Sequence, residues 1–407
     1  MILSTMTARA AHTARTARTA RTGYKGVAVA VPVTVPYVRY STHGAHWFIG
    51  CVLAEMLRAS GIDKDDIDGL CVSSFTLAPD TAVGLTQHLG LSPRWLDHLP
   101  LGGASGVVAV RRAARAVQAG DAEVVACVAG DTNHVESFRQ SLGSFSLFAR
   151  DATYPYGSGG PNAMFAFITA HYMRSYGARR EDFGRICVAQ RENALATPHA
   201  MFKKPLALDE YMAARVIADP IHLFDCVMPC AGAEGVLVMS EARARDLNLP
   251  FARLLAATER HNAYREDPIM LRGGWAKDHD DLYAQAGVKP GDLDLVQFYD
   301  DYPVIVMMQY EDLGFCGKGE GAAFLKSQTL TREGTLPTNT SGGQLSVGQA
   351  GAAGGYIGLV ETVRQLTGQA SGRAVPEAKL GLVSGFGMVT YDRCLCTGAL
   401  ILGRSDA

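Results

Sequence analysis

Four residues in succession, Tyr299, Asp300, Asp301 and Tyr302, follow the run Leu293–Phe298 (LDLVQF), which reads as a strand. A phenol at the end of a strand can give a proton to a carbanion or take one from a hydroxyl. Tyr299 is therefore a candidate acid–base group; the alternative is a tyrosine that fills space. Asp300 and Asp301 are adjacent in an extended segment, so their side chains face opposite sides and cannot work as a carboxylate pair. One of them is expected to cap or pair locally, and each is also a candidate for direct chemistry. Tyr302 is a candidate for the same pocket. Gln349 is the polar member of a segment otherwise built of Gly, Ala, Ser and Val. A buried amide must be hydrogen-bonded, either to substrate or to the protein itself. Tyr356, about two helical turns further on, is either core or part of the site. Asn339 in PTNTSGG either shapes a loop or reaches substrate.

Other polar groups carry less. His134 and His171 stand alone in the middle of the chain and are expected to be structural or solvated. Gly160 lies in GSGG, which matches neither a GxGxxG nor a P-loop pattern, so no nucleotide site follows from it. The cysteines, Cys51, Cys71, Cys127, Cys187, Cys226, Cys230, Cys316, Cys394 and Cys396, include no CxxC with a matching second pair, which argues against a zinc site. Several sit in apolar strand-like runs, as reduced, buried thiols of a cytoplasmic protein would.

The elements that must position these residues occur twice. Ala59–Val72 (ASGIDKDDIDGLCV) and Gln285–Phe298 (QAGVKPGDLDLVQF) share one pattern, and each follows a helical segment. Leu101–Gly120 and Gly348–Gln369 each open with small residues and continue as an amphipathic helix. Small residues there let a helix start pack closely against neighbouring backbone. Each is followed by a buried strand, Ala122–Asp131 and Ala378–Gly387, and each half ends in an apolar strand, Glu234–Ser240 and Gly398–Arg404. Continuous apolar strands alternating with helices predict an α/β fold with sheets covered on both faces, built from two duplicated halves. Residues from about Thr132 to Asp219 break the symmetry, and an insertion of that kind is where substrate loops usually lie.

The segments Asp219–Gly235 (DPIHLFDCVMPCAGAEG), Tyr310–Gly321 (YEDLGFCGKGEG) and Leu336–Gly355 (LPTNTSGGQLSVGQAGAAGG) complete the picture. Together with the duplicated halves they resemble the thiolase superfamily, and within it the sterol-carrier-protein-type thiolases and the thiolase-like aldolases related to them. The resemblance runs from about Gly23 to Arg404. It implies a thiolase fold: two βαβαβαββ halves in a layered αβαβα arrangement. The expected organisation is a tail at 1–22, an N-terminal half at 23–245 with its insertion at about 132–219, and a C-terminal half at 246–407.

Set against that family, the chemistry has changed. The segment matching the family's ACASG is Gly102–Gly106, so Gly103 stands where the nucleophilic cysteine would be. No neighbour replaces it, because Cys127 falls in a strand read as buried. The HDCF segment reads Tyr299–Tyr302, the histidine of GHP has become Gln349, and the late cysteine-glycine segment reads Ser384–Gly387 without a cysteine. A glycine cannot be acylated, so a covalent acyl-enzyme is not expected. What would survive is a means of holding a thioester oxygen: the amide of Gly103 faced by a backbone amide from a turn at Gly385–Gly387, with Phe386 and Gly387 beside it.

The resemblance therefore implies a coenzyme-A-dependent retro-aldolase that cleaves a β-hydroxyacyl-CoA, with steroid side-chain or aryl acyl-CoAs as substrates. In the resembling aldolases a tyrosine in the HDCF position is catalytic, which favours Tyr299 as proton donor. The catalytic set is then Tyr299, Gln349, Asp300 and Tyr356; Gly103, Phe386, Gly387, Asn339 and Tyr302 would bind substrate or its oxyanion. The alternatives are a non-catalytic acyl-CoA-binding or scaffold subunit, and a degenerate thiolase or acyltransferase. No permanently bound cofactor or metal is expected; coenzyme A enters as part of the substrate. Expected partners are a second copy of the chain, pairing at an edge strand of the N-terminal half for which Ala122–Gly130 is the candidate, and a small zinc-ribbon/OB-fold protein.

The bulk numbers agree with an enzyme of this size. The 407 residues are 48% apolar and 19% charged, with a formal net charge of −2. That balance suits buried layers and gives no reason to expect nucleic acid or an anionic membrane as partner. No apolar run reaches the roughly 18 residues needed to span a bilayer. The first 22 residues, rich in TAR and without an acidic residue, have a composition a transit peptide can show, but are expected to be a disordered tail or an over-extended start.

Overall fold

The computed structural model describes residues 23–77, 81–133, 148, 150–157, 160–370 and 373–406. The tail at 1–22 and His134 lie outside them. In chain order the strands are β1 Val27–Val38, β2 Gly69–Ser73, β3 Trp95–His98, β4 Val124–Asp131, β5 Val216–Ala218 and β6 Ile221–His222. They continue with β7 Ala231–Ser240, β8 Phe251–His261, β9 Leu295–Gln297, β10 Leu380–Val389 and β11 Cys394–Arg404. All but β5 and β6 join one mixed sheet in the order β3-β2-β4-β7-β1-β8-β11-β10-β9.

That order is palindromic about the β1–β8 seam. On one side β2 runs parallel to β4, and β4, β7 and β1 are antiparallel in turn. On the other, β9 runs parallel to β10, and β10, β11 and β8 are antiparallel in turn. The duplication seen in the sequence is thus a duplication of topology. It fails at one place. Where β3 pairs with β2 in the first half, the second half has only a single parallel bridge, Val296 to Thr338. Pro337 next to it has no amide to donate, and Asn339, Gly342 and Gly343 have φ of 46°, 104° and 59°, so the chain cannot stay extended there.

Helices form three layers around the sheet. Helix Ala45–Ser60 covers β1, β4 and β7 from outside, and helix Trp275–Ala286 covers β8 and β11. Helices Ser105–Ala119 and Ile357–Leu366 touch strands of both halves and lie between them. The period-two alternation of strands sorts side chains among these layers. On β4, Val125, Cys127 and Ala129 enter the central core, whereas Val124, Ala126 and Val128 pack under helix Ala45–Ser60. On β11, Leu400 and Leu402 face the centre, and Ala399 and Ile401 the outer layer of the second half. Burial on both faces is why these strands read as unbroken apolar runs.

β4 is flanked by β2 and β7, so Ala122–Gly130 is not an edge. Its apolar character comes from sheet packing, and the free edge of the first half is β3. Where the two central helices begin, the chains meet backbone to backbone. A Cβ on Gly106 would stand 2.3 Å from the carbonyl oxygen of Gly355, and one on Gly355 would stand 2.6 Å from that of Gly103. Only glycines permit this approach. No helix among the described residues is long and apolar enough to cross a membrane.

Candidate active site

Tyr299 leaves the end of β9 with its backbone fixed on two sides. Its amide donates to Ser384 Oγ at 3.1 Å, and its carbonyl accepts from Gln309 Nε2 at 2.8 Å. Asn339 Oδ1 accepts the preceding amide, that of Phe298, at 2.7 Å. The ring so placed lies over the start of the central helix of the other half. A Cβ on Gly103 would stand 1.9 Å from Tyr299 Cε2 and 2.5 Å from the carbonyl oxygen of Phe386. The Tyr299 and Phe386 rings stack with centroids 6.0 Å apart, and Phe165 and Tyr302 stack at 4.0 Å.

These residues wall a cleft of about 520 Å³, whose lining includes Gly102, Gly103, Phe165, Tyr299, Asp301, Tyr302, Gln349, Phe386 and Met388. The Tyr302 hydroxyl donates to Asn162 Oδ1 at 2.5 Å, tying the cleft to helix Pro161–Tyr176 of the insertion. Gln349 is held by the segment before β7: its amide donates to the Met228 carbonyl at 2.8 Å, and its carbonyl accepts from the Cys230 amide at 2.9 Å. Its side-chain Nε2 donates to the Tyr299 hydroxyl oxygen at 3.3 Å and to Gln344 Oε1 at 3.0 Å. A phenol oxygen that accepts from an amide keeps its own O–H free to donate elsewhere.

Electrostatics favour protonated groups here. Burial, then the carboxylates of Asp301 and Asp300, push the Tyr299 hydroxyl well above its ordinary range, against the pull of the Gln344 and Gln349 amides. Burial raises Asp300 to about 7, opposed by the backbone amides of Gln344 and Leu345. Burial and the neighbouring Asp300 also raise Asp301. A neutral phenol is a proton donor, and a carboxyl lifted toward neutrality is a stronger base than an ordinary one. Among the described residues no cluster of His, Cys, Asp and Glu is arranged to hold a metal ion.

Residues 256–403 match the family model for the thiolase C-terminal domain-like region. The steroid side-chain-cleaving aldolase of Thermomonospora curvata is 32% identical over 83% of this chain and 89% of its own length. The 17-hydroxy-3-oxo-4-pregnene-20-carboxyl-CoA lyase of Mycobacterium tuberculosis is 31% identical over 86% of this chain and 92% of its own. The chain belongs to the thiolase superfamily. Among solved structures, the Ltp2-ChsH2(DUF35) aldolase superposes with a TM-score of 0.80 at 28% identity, covering 93% of this chain and 98% of the other.

The space that a side chain at 103 would need is taken by a ring from the opposite half, so the glycine at 103 is a steric requirement of Tyr299. Gly103 sits in the turn Gly102–Ala104 at the head of helix Ser105–Ala119, where first-turn amides have no intrahelical acceptor. The second donor expected at Gly385–Gly387 is placed differently, because these residues lie inside strand β10 and not in a turn. Gly387 packs onto the segment before the helix, where a Cβ would stand 1.7 Å from the Leu101 carbonyl oxygen, and is not part of the cleft wall. Phe386 and Met388 are.

Of the other candidates, Tyr299, Gln349, Gly103, Phe386 and Tyr302 come together at the cleft. Asp300 and Asn339 line a smaller cavity behind Tyr299. Asp300 accepts from the Gln344 amide at 2.9 Å and the Leu345 amide at 3.3 Å, which caps helix Gly343–Val347. Tyr356 is fully buried in the central core. It ends the 3-10 stretch Gly351–Tyr356 and takes the core reading of the two that the sequence leaves open. His171 lies on helix Pro161–Tyr176, away from the cleft lining. Of the two carboxylates that the sequence offers for direct chemistry, Asp301 lines the cleft and Asp300, chosen for the catalytic set, does not. The doublet says that one carboxylate points each way, but not which way.

Proposed function

We propose that this chain is a CoA-thioester-dependent retro-aldolase. It cleaves a β-hydroxyacyl-CoA between its α and β carbons, giving a ketone or aldehyde and a shorter acyl-CoA. The observation that carries this reading is the Tyr299 ring in the space above Gly103. It removes the covalent route and leaves a proton donor beside a helix-start amide. In the reaction a base takes the β-hydroxyl proton, the carbon–carbon bond breaks, and its electron pair enters a thioester enolate. The Gly103 amide is the donor available to the enolate oxygen, Gln349 holds the Tyr299 oxygen, and Tyr299 delivers a proton to the α carbon. Donors fixed before the charge develops, with one proton donor in place, are what enolate chemistry requires.

Relatives named for steroid side-chain cleavage make steroid β-hydroxyacyl-CoAs the first substrates to try, with aryl analogues next. The solved aldolase named with a DUF35 chain supports a small zinc-ribbon/OB-fold partner for this one. We further propose halves at 23–245 and 246–407, and a homodimer pairing at β3, where Leu96 is exposed. Nine free cysteines fit a reducing, cytoplasmic setting.

The test is to incubate the chain, with and without such a partner, with these thioesters and to identify the products by mass. A carbonyl product and a shorter acyl-CoA, with no free coenzyme A consumed and no acyl group left on the protein, are expected. Stable acylation of the protein would point to a degenerate acyltransferase. Tight thioester binding without cleavage would point to a binding subunit.

A further inference from the structure

The two carboxylates behind and beside Tyr299 are treated differently by the fold. Asp300 has backbone amides on its oxygens and closes a helix end. Asp301 lines the cleft, half-buried; the nearby amides of Tyr302 and of Asp301 itself favour its charged form, but its Oδ1 is buried with no hydrogen-bond partner. A buried carboxylate oxygen is nearly always hydrogen-bonded. Leaving one unsatisfied is costly unless a ligand supplies the donor. Tyr302, its chain neighbour in the lining, already donates to Asn162.

We infer that Asp301 is the general base of the reaction, accepting the β-hydroxyl of the substrate and taking its proton. The inference rests on the retro-aldolase reading and supplies the group that reading lacks. The hydroxyl proton passes to the Asp301 carboxylate as the oxygen's electron pair forms the carbonyl. The bond between the α and β carbons breaks into the enolate, and the Tyr299 hydroxyl protonates the α carbon. The phenolate recovers its proton from the Asp301 carboxylic acid. In sum the hydroxyl proton ends on the α carbon, and both residues return to their starting forms with no other reactant.

The titratable groups around Asp301 are Asp300, Tyr299, Tyr302, Cys226 and Cys394. None of them is a cation that would hold the carboxylate charged, so burial and Asp300 lift it against the backbone amides of Tyr302 and of Asp301 itself. Activity should therefore fall, on lowering the pH, from a point above the ordinary carboxylate value of about 4.

The experiment uses the full chain, with its partner if one is needed, and a β-hydroxyacyl-CoA that the wild type cleaves. Asp301→Asn should lower kcat by roughly a hundredfold or more with little change in KM, and its residual rate should lose the acid limb of the pH profile. Asp301→Glu should recover part of the rate with the limb moved. Thermal melting checks both for folding. A folded Asp301→Asn enzyme within a few-fold of wild type, or an Asp301→Glu enzyme with its acid limb unmoved, overturns the assignment while the retro-aldolase reading stands. If the wild type cleaves no β-hydroxyacyl-CoA, that reading fails and this assignment with it.

Discussion

The ring of Tyr299 occupies the space that any side chain at residue 103 would need: a Cβ there would lie 1.9 Å from Cε2 and 2.0 Å from Cζ. The two positions come from opposite halves of the duplicated fold, so the residue at 103 and the ring at 299 are sterically coupled.

That coupling is measurable as stability. Gly103→Ala should destabilise the chain by about 1–3 kcal/mol, the usual cost of overpacking. Tyr299→Ala empties the space, so the same Gly103→Ala change in that background should cost less. Urea unfolding of the four proteins would give a coupling above about 0.5 kcal/mol. Strict additivity would mean that the ring moves aside freely. For the same reason Gly103→Cys should give no thiolysis, and thiolysis at a rate typical of the superfamily would refute this view of the centre.

Gln349 holds the Tyr299 oxygen from the side away from its proton. Gln349→Leu removes the donor at 3.3 Å and leaves a similar volume. Turnover should fall by about a hundredfold or more, the order expected on losing one preorganised donor to a reacting group, with a much smaller change in KM. A change confined to KM would make Gln349 a binding residue only.

Stability should also depend on pH through a group far from the cleft. Glu234 on β7 is buried, accepts from Thr34 Oγ1 at 2.6 Å, and is raised by burial from 4.5 to about 7. The folded state therefore binds this proton more tightly than the unfolded chain. Its favourable contribution is complete below about 4.5 and is lost as the pH rises through about 7. Glu234→Gln should lose less melting temperature than wild type on going from pH 5 to pH 8, by a few degrees. An unchanged difference would show that Glu234 titrates normally.

Much of this arrangement was legible in the sequence, and the parts that were not have physical causes. Strands with apolar residues at every position announced sheets covered on both sides, and β4 and β11 deliver alternate residues to different cores. The small residues around Gly103, Gly106 and Gly355 announced helix starts in backbone contact. Tyr299 was placed correctly at the end of its strand. Of the two readings open for Tyr356, core or site, the structure bears out core. The Asp300–Asp301 doublet was not resolved, because period two fixes opposite faces and only the capped helix Gly343–Val347 decides which face is which. The turn that the family resemblance implies at Gly385–Gly387 is strand β10, as the apolar run Ala378–Gly387 predicts, and its glycines allow close packing against Leu101 and Ala104.

If Tyr299 gives the proton that completes carbon–carbon cleavage, Tyr299→Phe removes it with the least disturbance to the cleft. The ring stays to pack on Phe386 and over Gly103, and only the hydroxyl is lost, so stability should change by about 1 kcal/mol. With a β-hydroxyacyl-CoA that the wild type cleaves, kcat should fall by roughly a hundredfold or more while KM hardly moves, because the transfer belongs to the transition state. Near wild-type turnover by the folded phenylalanine variant would contradict the account and return Tyr299 to a residue that fills the vacated space.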